Sequence, residues 1–409
     1  MELVLVIGLM MALGAIGGVI AVRLRLPRIT GYIFAGILLS PSVLPFLDWD
    51  LVDDLGIIAM AALGVIGYAI GASIRLDMLR GLGSSIVWIT LMQGAAAWLL
   101  TIVLLVPLGP FLFPGVPGAD FLTLYLPVAF LIGAIAWPTA PAVTIALIRE
   151  VGAKGIMTTA GLTVVALSDA AAVIAFGLSL EVARAFIETG AFSWFDGVAM
   201  PAVKLAGSVL LGIVGGVAVN GLSRLLPERG FGLLAVTLGG ILLCMWAAQT
   251  LDVSMLLALL VMGFVAVNLG GRHGRLASVL EPVEGVVFVV FFVISGVYFD
   301  WEALEAAWLL AVMITVARCF GKYGGARLGA VIADAPLVLR KYLGFILLPK
   351  AGLTLGLAFL AREALSDPLG TLLFNGLLAS TILNMVLTPP LAKWALVKAA
   401  EHSRRAERG

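Results

Sequence analysis

Long apolar segments follow one another along nearly the whole chain, separated by short charged stretches, and this pattern limits what the chain can fold into. Of the 409 residues, 62% are hydrophobic and 12% are charged, whereas soluble domains have about 45–50% apolar and about 25% charged residues. A helix of roughly 20 apolar residues is long enough to cross a bilayer. The sequence therefore predicts an all-α polytopic membrane protein. A net charge of +1 without a basic stripe argues against nucleic-acid binding.

The sequence predicts thirteen transmembrane helices, here called spans 1 to 13. They cover residues 3–22, 27–45, 53–74, 84–108, 121–149, 155–180, 201–223, 232–250, 253–270, 284–299, 307–330, 341–362 and 369–392. Span 1 has no basic region before it and no small-residue cleavage site after it. We therefore expect span 1 to be an uncleaved helix rather than a signal peptide.

The basic residues between the spans support this number of spans. Cytoplasmic loops of membrane proteins are enriched in Lys and Arg, and with thirteen spans 19 of the 25 basic residues fall on one side. They are Arg23, Arg25, Arg28, Arg75, Arg80, Arg149, Lys154, Arg224, Arg229, Arg272, Arg275, Arg327, Arg340, Lys341, Lys393, Lys398, Arg404, Arg405 and Arg408. We therefore predict that the N-terminus lies outside and the C-terminus in the cytoplasm.

One acidic residue lies in the middle of a predicted span. Asp169 is at the centre of span 6, in ALSDAAAVIAFGL, and no other charged residue lies within ten positions of it. Carboxylates at this depth are costly and often mark ion or proton pathways. We interpret Asp169 as a site that binds either a monovalent metal cation or a proton. The alternative is a structural ion pair with Arg318 of span 11.

Span 5 is interrupted by two prolines. Its apolar sequence runs to Ile135 and continues as Ala-Trp137-Pro138-Thr139-Ala-Pro141 before the helical pattern resumes. Proline lacks a backbone donor and frees helical carbonyls, which at membrane depth is tolerated only beside protein or a water-filled cavity. The spacing favours an unwound segment that lines an ion-binding site over a simple proline kink.

Span 12 carries a similar interruption at Pro349 and Lys350, in FILLPKAGLTLGLAFL. Spans 5 and 12 are seven spans apart, so they run in opposite directions, as inverted repeats require. Crossed discontinuous helices place helix N- and C-termini near the midplane. Lys350 is predicted to compensate the negative C-terminal ends, and Thr139 to offer an oxygen to the dipoles or to the cation.

Other polar residues lie near these features. Three basic residues, Arg318, Lys322 and Lys350, lie well inside spans, and Arg318 is, like Lys350, predicted to compensate charge at the helix breaks. Ser168 supplies a hydroxyl directly before Asp169. Glu281 and Glu284, at the inner mouth of span 10, are candidates for a cation funnel or a pH sensor; the alternative is a solvated helix start. Gln93, Ser295, Asn375 and Asn384 are predicted to form hydrogen bonds between helices.

Six segments together resemble the monovalent cation:proton antiporters, and within them family 2, which includes bacterial sodium/proton and potassium/proton exchangers. In chain order they are LPRITGYIFAGILLSPSVL, IGASIRLDMLR, WPTAPAVTIALIREVGAKG, LSDAAAV, FFVISGVYFD and LLPKAGLTLGLA. The resemblance implies a secondary transporter, not an enzyme, which exchanges Na⁺ or K⁺ for protons by elevator-type alternating access. It further implies a homodimer in the bacterial inner membrane and no cofactor beyond the transported ions.

The resemblance also implies a domain organisation. Residues 1–82 and 226–300 would form a scaffold and dimer panel, residues 83–180 and 301–398 a core ion-binding domain, and residues 181–225 a linker with span 7. Residues 399–409 would be a cytoplasmic tail, so we expect a short form without the C-terminal nucleotide-binding domain common in this branch. A separate regulatory subunit is left open.

The resemblance leaves one partner undefined. Members often carry Asp, Asn or Gln before the Asp of helix 6, and in the Asp-Asp members the basic residue of helix 11 pairs with the first Asp. Ser168 cannot form that pair, so the partner of Arg318 is open, and a single carboxylate favours one cation per proton.

Two further functions stay open from the residues. A cation channel also uses acids at mid-depth, and an organic-anion/sodium symporter of the same crossed-helix fold would suit Lys350 and Arg318. The solitary Asp169 favours a cation. Intramembrane proteolysis needs a second intramembrane Asp or a His near a Ser, and the two histidines, His273 and His402, fall in a predicted loop and the predicted tail.

Overall fold

A computed structural model describes residues 2–24, 26–44, 47–74, 83–113, 120–153, 155–189, 199–225, 231–269, 276, 278–350 and 352–406. Within these ranges the chain forms helices and contains no β-strand. The helices are α1 (Glu2–Arg23), α2 (Arg28–Leu39), α3 (Trp49–Asp54), α4 (Gly56–Ser73), α5 (Ser84–Leu105), α6 (Gly109–Leu112), α7 (Leu126–Ile135), α8 (Pro141–Val151), α9 (Ile156–Thr189), α10 (Met200–Ser223), α11 (Phe231–Thr250), α12 (Met255–Asn268), α13 (Glu281–Val297), α14 (Trp301–Ile332), α15 (Leu337–Ile346), α16 (Gly352–Ala364) and α17 (Leu369–Ala406). A π-helical segment, Phe121–Tyr125, leads into α7.

Eight stretches of the described chain are helical, apolar and long enough to cross a membrane. They are Leu3–Arg23, Trp49–Ser73, Ser84–Leu105, Ile156–Ile187, Met200–Ser223, Phe231–Thr250, Trp301–Ile332 and Leu369–Ala399. Shorter apolar helices cover Arg28–Leu39, Phe121–Ile135 and Met255–Asn268. The predicted all-α membrane fold is confirmed, whereas the number of thirteen crossings stays a prediction.

Several helices extend beyond the predicted spans. α9 continues to Thr189 instead of ending at 180, and α17 continues to Ala406, into the predicted tail. α14 begins at Trp301 rather than 307, because the carboxylate of Asp300 accepts a hydrogen bond from the backbone N–H of Ala303 at 2.9 Å and caps the helix. Hydropathy marks the apolar part of a helix, but capping and backbone bonds set where it ends.

Both predicted interruptions are present. Span 5 consists of α7, which ends at Ile135, and α8, which begins at Pro141. Span 12 consists of α15, which ends at Ile346, and α16, which begins at Gly352. The two interruptions are bonded to each other, because the backbone N–H of Ala140 donates to the carbonyl of Pro349 at 2.9 Å.

The chain divides into two compact units. The first unit comprises Met1–Leu24, Gly31–Arg80 and Ser193–Phe299. In it, α12 packs against α4, and the amide of Asn268 donates to the carbonyl of Ile74 at 2.8 Å. The predicted scaffold role of these helices stays a prediction.

The second unit comprises Arg25–Thr30, Gly81–Phe192 and Asp300–Gly409, and both interruptions belong to it. Its helices α14 and α5 pack closely along Gly321, Gly325 and Gly329 of α14, since a Cβ on any of them would meet α5 backbone atoms at 2.2–2.5 Å. Small residues at every fourth position allow such an approach between membrane helices. This packing fixes the rotation of α14 and thereby the direction of its basic side chains.

Some of the charges used to predict the orientation lie outside the described residues. They are Arg25, Arg75, Arg80, Lys154, Arg229, Arg272, Arg275 and Arg408. The orientation of the two termini therefore stays a prediction.

Candidate functional site

Asp169 lies in the middle of α9 and is 2% exposed. Its Oδ1 accepts a hydrogen bond from the backbone N–H of Thr139, in the interruption between α7 and α8, at 3.3 Å. Across the described residues, no ion pair joins Asp169 to Arg318 or Lys322. The structural ion pair with Arg318, weighed as an alternative, is not formed, and Asp169 faces the interrupted helix instead.

The first interruption follows from its prolines. Pro138 and Pro141 have no backbone N–H, so they cannot donate to carbonyls of α7. Pro141 is the first residue of α8, where a missing donor causes no loss and the fixed φ suits a helix start. The backbone donors between them bond elsewhere: that of Thr139 reaches Asp169, and that of Ala140 reaches Pro349.

The second interruption is anchored by α17. The backbone N–H of Lys350 donates to Oδ1 of Asn384 at 2.8 Å, and its Nζ donates to the hydroxyl of Ser380 at 2.9 Å. That hydroxyl lies 2.9 Å from Oγ1 of Thr315 in α14. The predicted role of Asn384 in a bond between helices is confirmed.

Arg318 bridges the two interruptions. Its Nη1 donates to the carbonyl of Leu348, and its Nη2 donates to the carbonyl of Pro138 at 2.6 Å. The side chain is fully buried. A guanidinium carries several donors in a fixed planar fork, so one side chain can bind a carbonyl from each interruption.

The two basic residues predicted to compensate the freed carbonyls make different contacts. Arg318 binds the carbonyls of Leu348 and Pro138, whereas the side chain of Lys350 bonds to Ser380 of α17, so charge compensation by Lys350 stays a prediction. The reason is direction: α14 presents Arg318 to both interruptions, whereas Lys350 follows Pro349 and extends towards α17.

Lys322 belongs to the same site, although from the sequence it was noted only as a basic residue within span 11. It is fully buried, and its Nζ donates to Oγ1 of Thr139. Oγ1 of Thr139 in turn donates to the carbonyl of Leu347 at 3.3 Å. The spacing of four residues from Arg318, which places both side chains on one face of a helix, is the signal that identifies it.

Ser168 is held by a neighbouring helix. Its hydroxyl donates to the carbonyl of Val164 at 2.6 Å and accepts a hydrogen bond from Nε2 of Gln93 in α5 at 2.8 Å. This confirms the interhelical hydrogen bond predicted for Gln93. The hydroxyl proton of Ser168 is therefore used in a hydrogen bond within its own helix.

Trp137 packs beside the same part of α5. A Cβ on Gly94 would lie 1.8 Å from Cε2 of the Trp137 indole, so the ring occupies space that only a glycine leaves open. The indole Nε1 is buried without a hydrogen-bond partner among the described residues. Trp137 thus connects the first interruption to α5.

The second unit buries more positive than negative side chains at this site. Arg318, Lys322 and Lys350 are fully buried and Asp169 nearly so. Buried charges are tolerated when they are paired or hydrogen-bonded. Backbone carbonyls offset Arg318, and hydroxyls bind the two lysines, so the carboxylate of Asp169 is not consumed by an ion pair. The arrangement therefore leaves an intramembrane carboxylate that can take up a cation or a proton.

Glu281 and Glu284 belong to the first unit. Both lie in the first turn of α13, where carboxylates interact favourably with the helix dipole. Their predicted role as a funnel or pH sensor stays a prediction.

The fold and the buried charges are those of a multi-pass membrane protein. The family model described as sodium/hydrogen exchanger, transmembrane, matches residues 8–394 of the chain. The protein therefore belongs to the sodium/hydrogen exchanger family, whose members are transporters and not enzymes. This confirms the resemblance to cation:proton antiporters; the matched model is that of family 1, whereas family 2 was predicted.

Solved structures show the same fold. The sodium proton antiporter MjNhaP1 from Methanocaldococcus jannaschii at pH 8 superposes with a TM-score of 0.75 at 16% identity, covering 98% of this chain and 99% of that one. A second structure of that antiporter, from electron microscopy, gives a TM-score of 0.69 at 17% identity, with 97% of each chain covered. A comparison with curated proteins found no match.

Proposed function

We propose that the protein exchanges a monovalent cation, Na⁺ or K⁺, for protons, and that cation and proton compete for Asp169. The observation that carries this proposal is the buried carboxylate of Asp169. It accepts a hydrogen bond from the unwound segment at Thr139 and forms no ion pair with a basic side chain among the described residues. Membership of the sodium/hydrogen exchanger family supports it.

The exchange cycle follows from the charge of that carboxylate. Ionised Asp169 takes a cation, with oxygens of Thr139, Ser168 and freed carbonyls as further ligands, and protonation releases it. Either loaded form is neutral at Asp169, whereas the empty carboxylate is charged and crosses slowly. Alternating access is of the elevator type, in which the unit that carries Asp169 moves across the membrane.

The partners and placement belong to the same proposal. The protein acts as a homodimer in the bacterial inner membrane, with its N-terminus outside, its C-terminus in the cytoplasm and no cofactor besides the transported ions. Residues 83–180 and 301–398 form the core ion-binding domain, and residues 1–82 and 226–300 form the scaffold.

The test is exchange in proteoliposomes. An imposed Na⁺ or K⁺ gradient should drive protons in the opposite direction in the wild type, and Asp169→Asn should abolish this movement because a neutral amide cannot release a proton in exchange for a cation. Asp252→Asn is the matched control, since Asp252 is an exposed carboxylate paired with Lys204 in the first unit. Exchange that survives in Asp169→Asn contradicts the proposal.

The same vesicles separate the two alternatives. A cation channel would give cation flux without counter-movement of protons. A sodium-coupled symporter for organic anions would need the anion for sodium uptake. Proton movement that depends on the cation gradient, without an organic anion, supports exchange alone.

A further inference from the structure

We propose that Gln93 supplies a cation ligand of this exchanger through its amide Oε1 and thereby contributes to ion selectivity. This inference rests on the proposed function. It begins with the place of Gln93 in the fold: the side chain is fully buried on α5 and is bonded to Ser168, the residue directly before Asp169.

The hydrogen bonds of Ser168 fix which way the amide points. The hydroxyl proton of Ser168 goes to the carbonyl of Val164, so its oxygen must accept from Gln93. The donor Nε2 therefore faces Ser168, and it also reaches the carbonyl of Thr90 at 3.2 Å. The acceptor Oε1, on the same amide carbon, is left without a partner among the described residues.

An unpaired buried carbonyl oxygen in a membrane core is expensive, so it calls for a polar occupant. A second unpaired buried group, Nε1 of Trp137, lies beside the next residue of α5, since a Cβ on Gly94 would lie 2.1 Å from it. An acceptor and a donor at this place fit a partly hydrated cation: the ion binds Oε1 of Gln93, and its water accepts from Trp137.

The hydroxyl oxygens of Ser168 and Thr139 have fewer lone pairs available for a cation than Oε1 of Gln93 has. A hydroxyl oxygen has two lone pairs. Ser168 uses one of them to accept from Gln93, and Thr139 uses one to accept from Lys322. Gln93 Oε1 has both available, and amide carbonyl oxygens are suitable ligands for dehydrated alkali cations. Gln93 is therefore the neutral side chain best able to complete the ligand set of Asp169.

The test compares the apparent KM for Na⁺, Li⁺ and K⁺ in proteoliposomes at one pH. Gln93→Met keeps the length of the side chain but removes Oε1, so the apparent KM of the preferred cation should rise about tenfold, with a smaller change in kcat and an altered order among the three ions. Thr90→Val is the control one turn away, because the one hydrogen bond of Thr90 Oγ1 within the described part of the chain goes to the carbonyl of Ile86. Its KM values should match the wild type.

Ser168→Ala and the double variant separate a ligand from a positioning role. If Gln93 acts only by holding Ser168, Gln93→Met and Ser168→Ala will have equal effects that do not add. If Gln93 is a ligand, its variant will have the larger effect and the double variant will be weaker still. Equal, non-additive effects, or a Gln93→Met variant with wild-type KM values and ion order, overturn the proposal.

A binding measurement separates this proposal from the proposed function. Cations that bind the folded protein should raise its unfolding temperature, in the wild type but not in Asp169→Asn, and Gln93→Met should need about tenfold more cation for the same rise. If Asp169 is required and Gln93→Met behaves as the wild type, only the proposal for Gln93 is contradicted. If the wild type neither exchanges nor responds to any of the three cations, both proposals fall.

Discussion

The two compact units bury polar side chains of different kinds. Among the described residues, the buried polar side chains of the first unit are neutral; Asn220, for example, donates to the carbonyl of Ala266 at 2.9 Å. The second unit buries Asp169 and three basic side chains around two interrupted helices. The difference teaches that freed backbone groups make charge burial tolerable, and it is the reason why we propose that the ion site lies where the helices are broken.

The largest expected effect concerns Arg318, because it bonds to both interruptions. Arg318→Met would leave the carbonyls of Pro138 and Leu348 without their donor, and each buried carbonyl left unpaired costs about 1–3 kcal/mol. We expect little folded protein and no measurable exchange, as judged by size-exclusion chromatography and vesicle assays.

Arg318→Lys tests the same point more finely. Lysine keeps the charge but lacks the planar fork, so we expect folded protein with exchange reduced by at least about tenfold. Full activity in Arg318→Lys would show that the charge alone matters and not the bridge between the two interruptions.

A smaller effect is expected at Lys322. Lys322→Met removes the donor to Thr139 and a positive charge near Asp169. A nearby positive charge disfavours proton uptake by a carboxylate, so its removal should move the pH profile of exchange to higher pH. Exchange rates measured from pH 5 to 9 would show this shift, and an unchanged profile would mean that Lys322 does not influence Asp169.

Replacing Lys350 should change the pH profile of exchange less than replacing Lys322 does. Its side chain bonds to Ser380 rather than to Thr139 or Asp169. Lys350→Met should therefore lower the unfolding temperature while the pH profile keeps its position. A shift as large as that of Lys322→Met would contradict the assignment of Lys350 to the bond with α17.

The smallest effect is expected in the first unit. Asn220→Leu removes a buried amide that donates to the carbonyl of Ala266, and leaving that carbonyl unpaired costs about 1–3 kcal/mol. Stability should fall, while the apparent KM for the cation stays the same. A changed KM would show that polar groups of the first unit also shape the ion site.

The sequence predicts the interruptions well, because proline imposes them locally. Pro138, Pro141 and Pro349 locate both breaks, and the solitary acid identifies Asp169. The sequence does not predict which basic side chain meets which carbonyl. This pairing depends on the rotation of α14, which is determined by the contacts of its glycines with α5. It also depends on the distances between helices that are far apart in the chain.

The same reasoning explains why the separate contacts of Arg318 and Lys350 are not predicted from the sequence. Depth in the membrane made Lys350 the expected partner of the freed carbonyls, but depth does not give direction. Lys322 shows the converse, because its spacing of four residues from Arg318 is readable in the sequence and places it beside the site. The bond between Gln93 and Ser168 likewise needs the packing of α5 against α9.

The measurement that tests the central claim most directly is the apparent KM for the cation as a function of pH, in wild-type proteoliposomes. If proton and cation compete for Asp169, the KM should rise by up to about tenfold for each unit by which the pH falls, while the rate at saturating cation changes little. A KM that stays constant over several pH units, with Asp169 still required for exchange, would contradict the account.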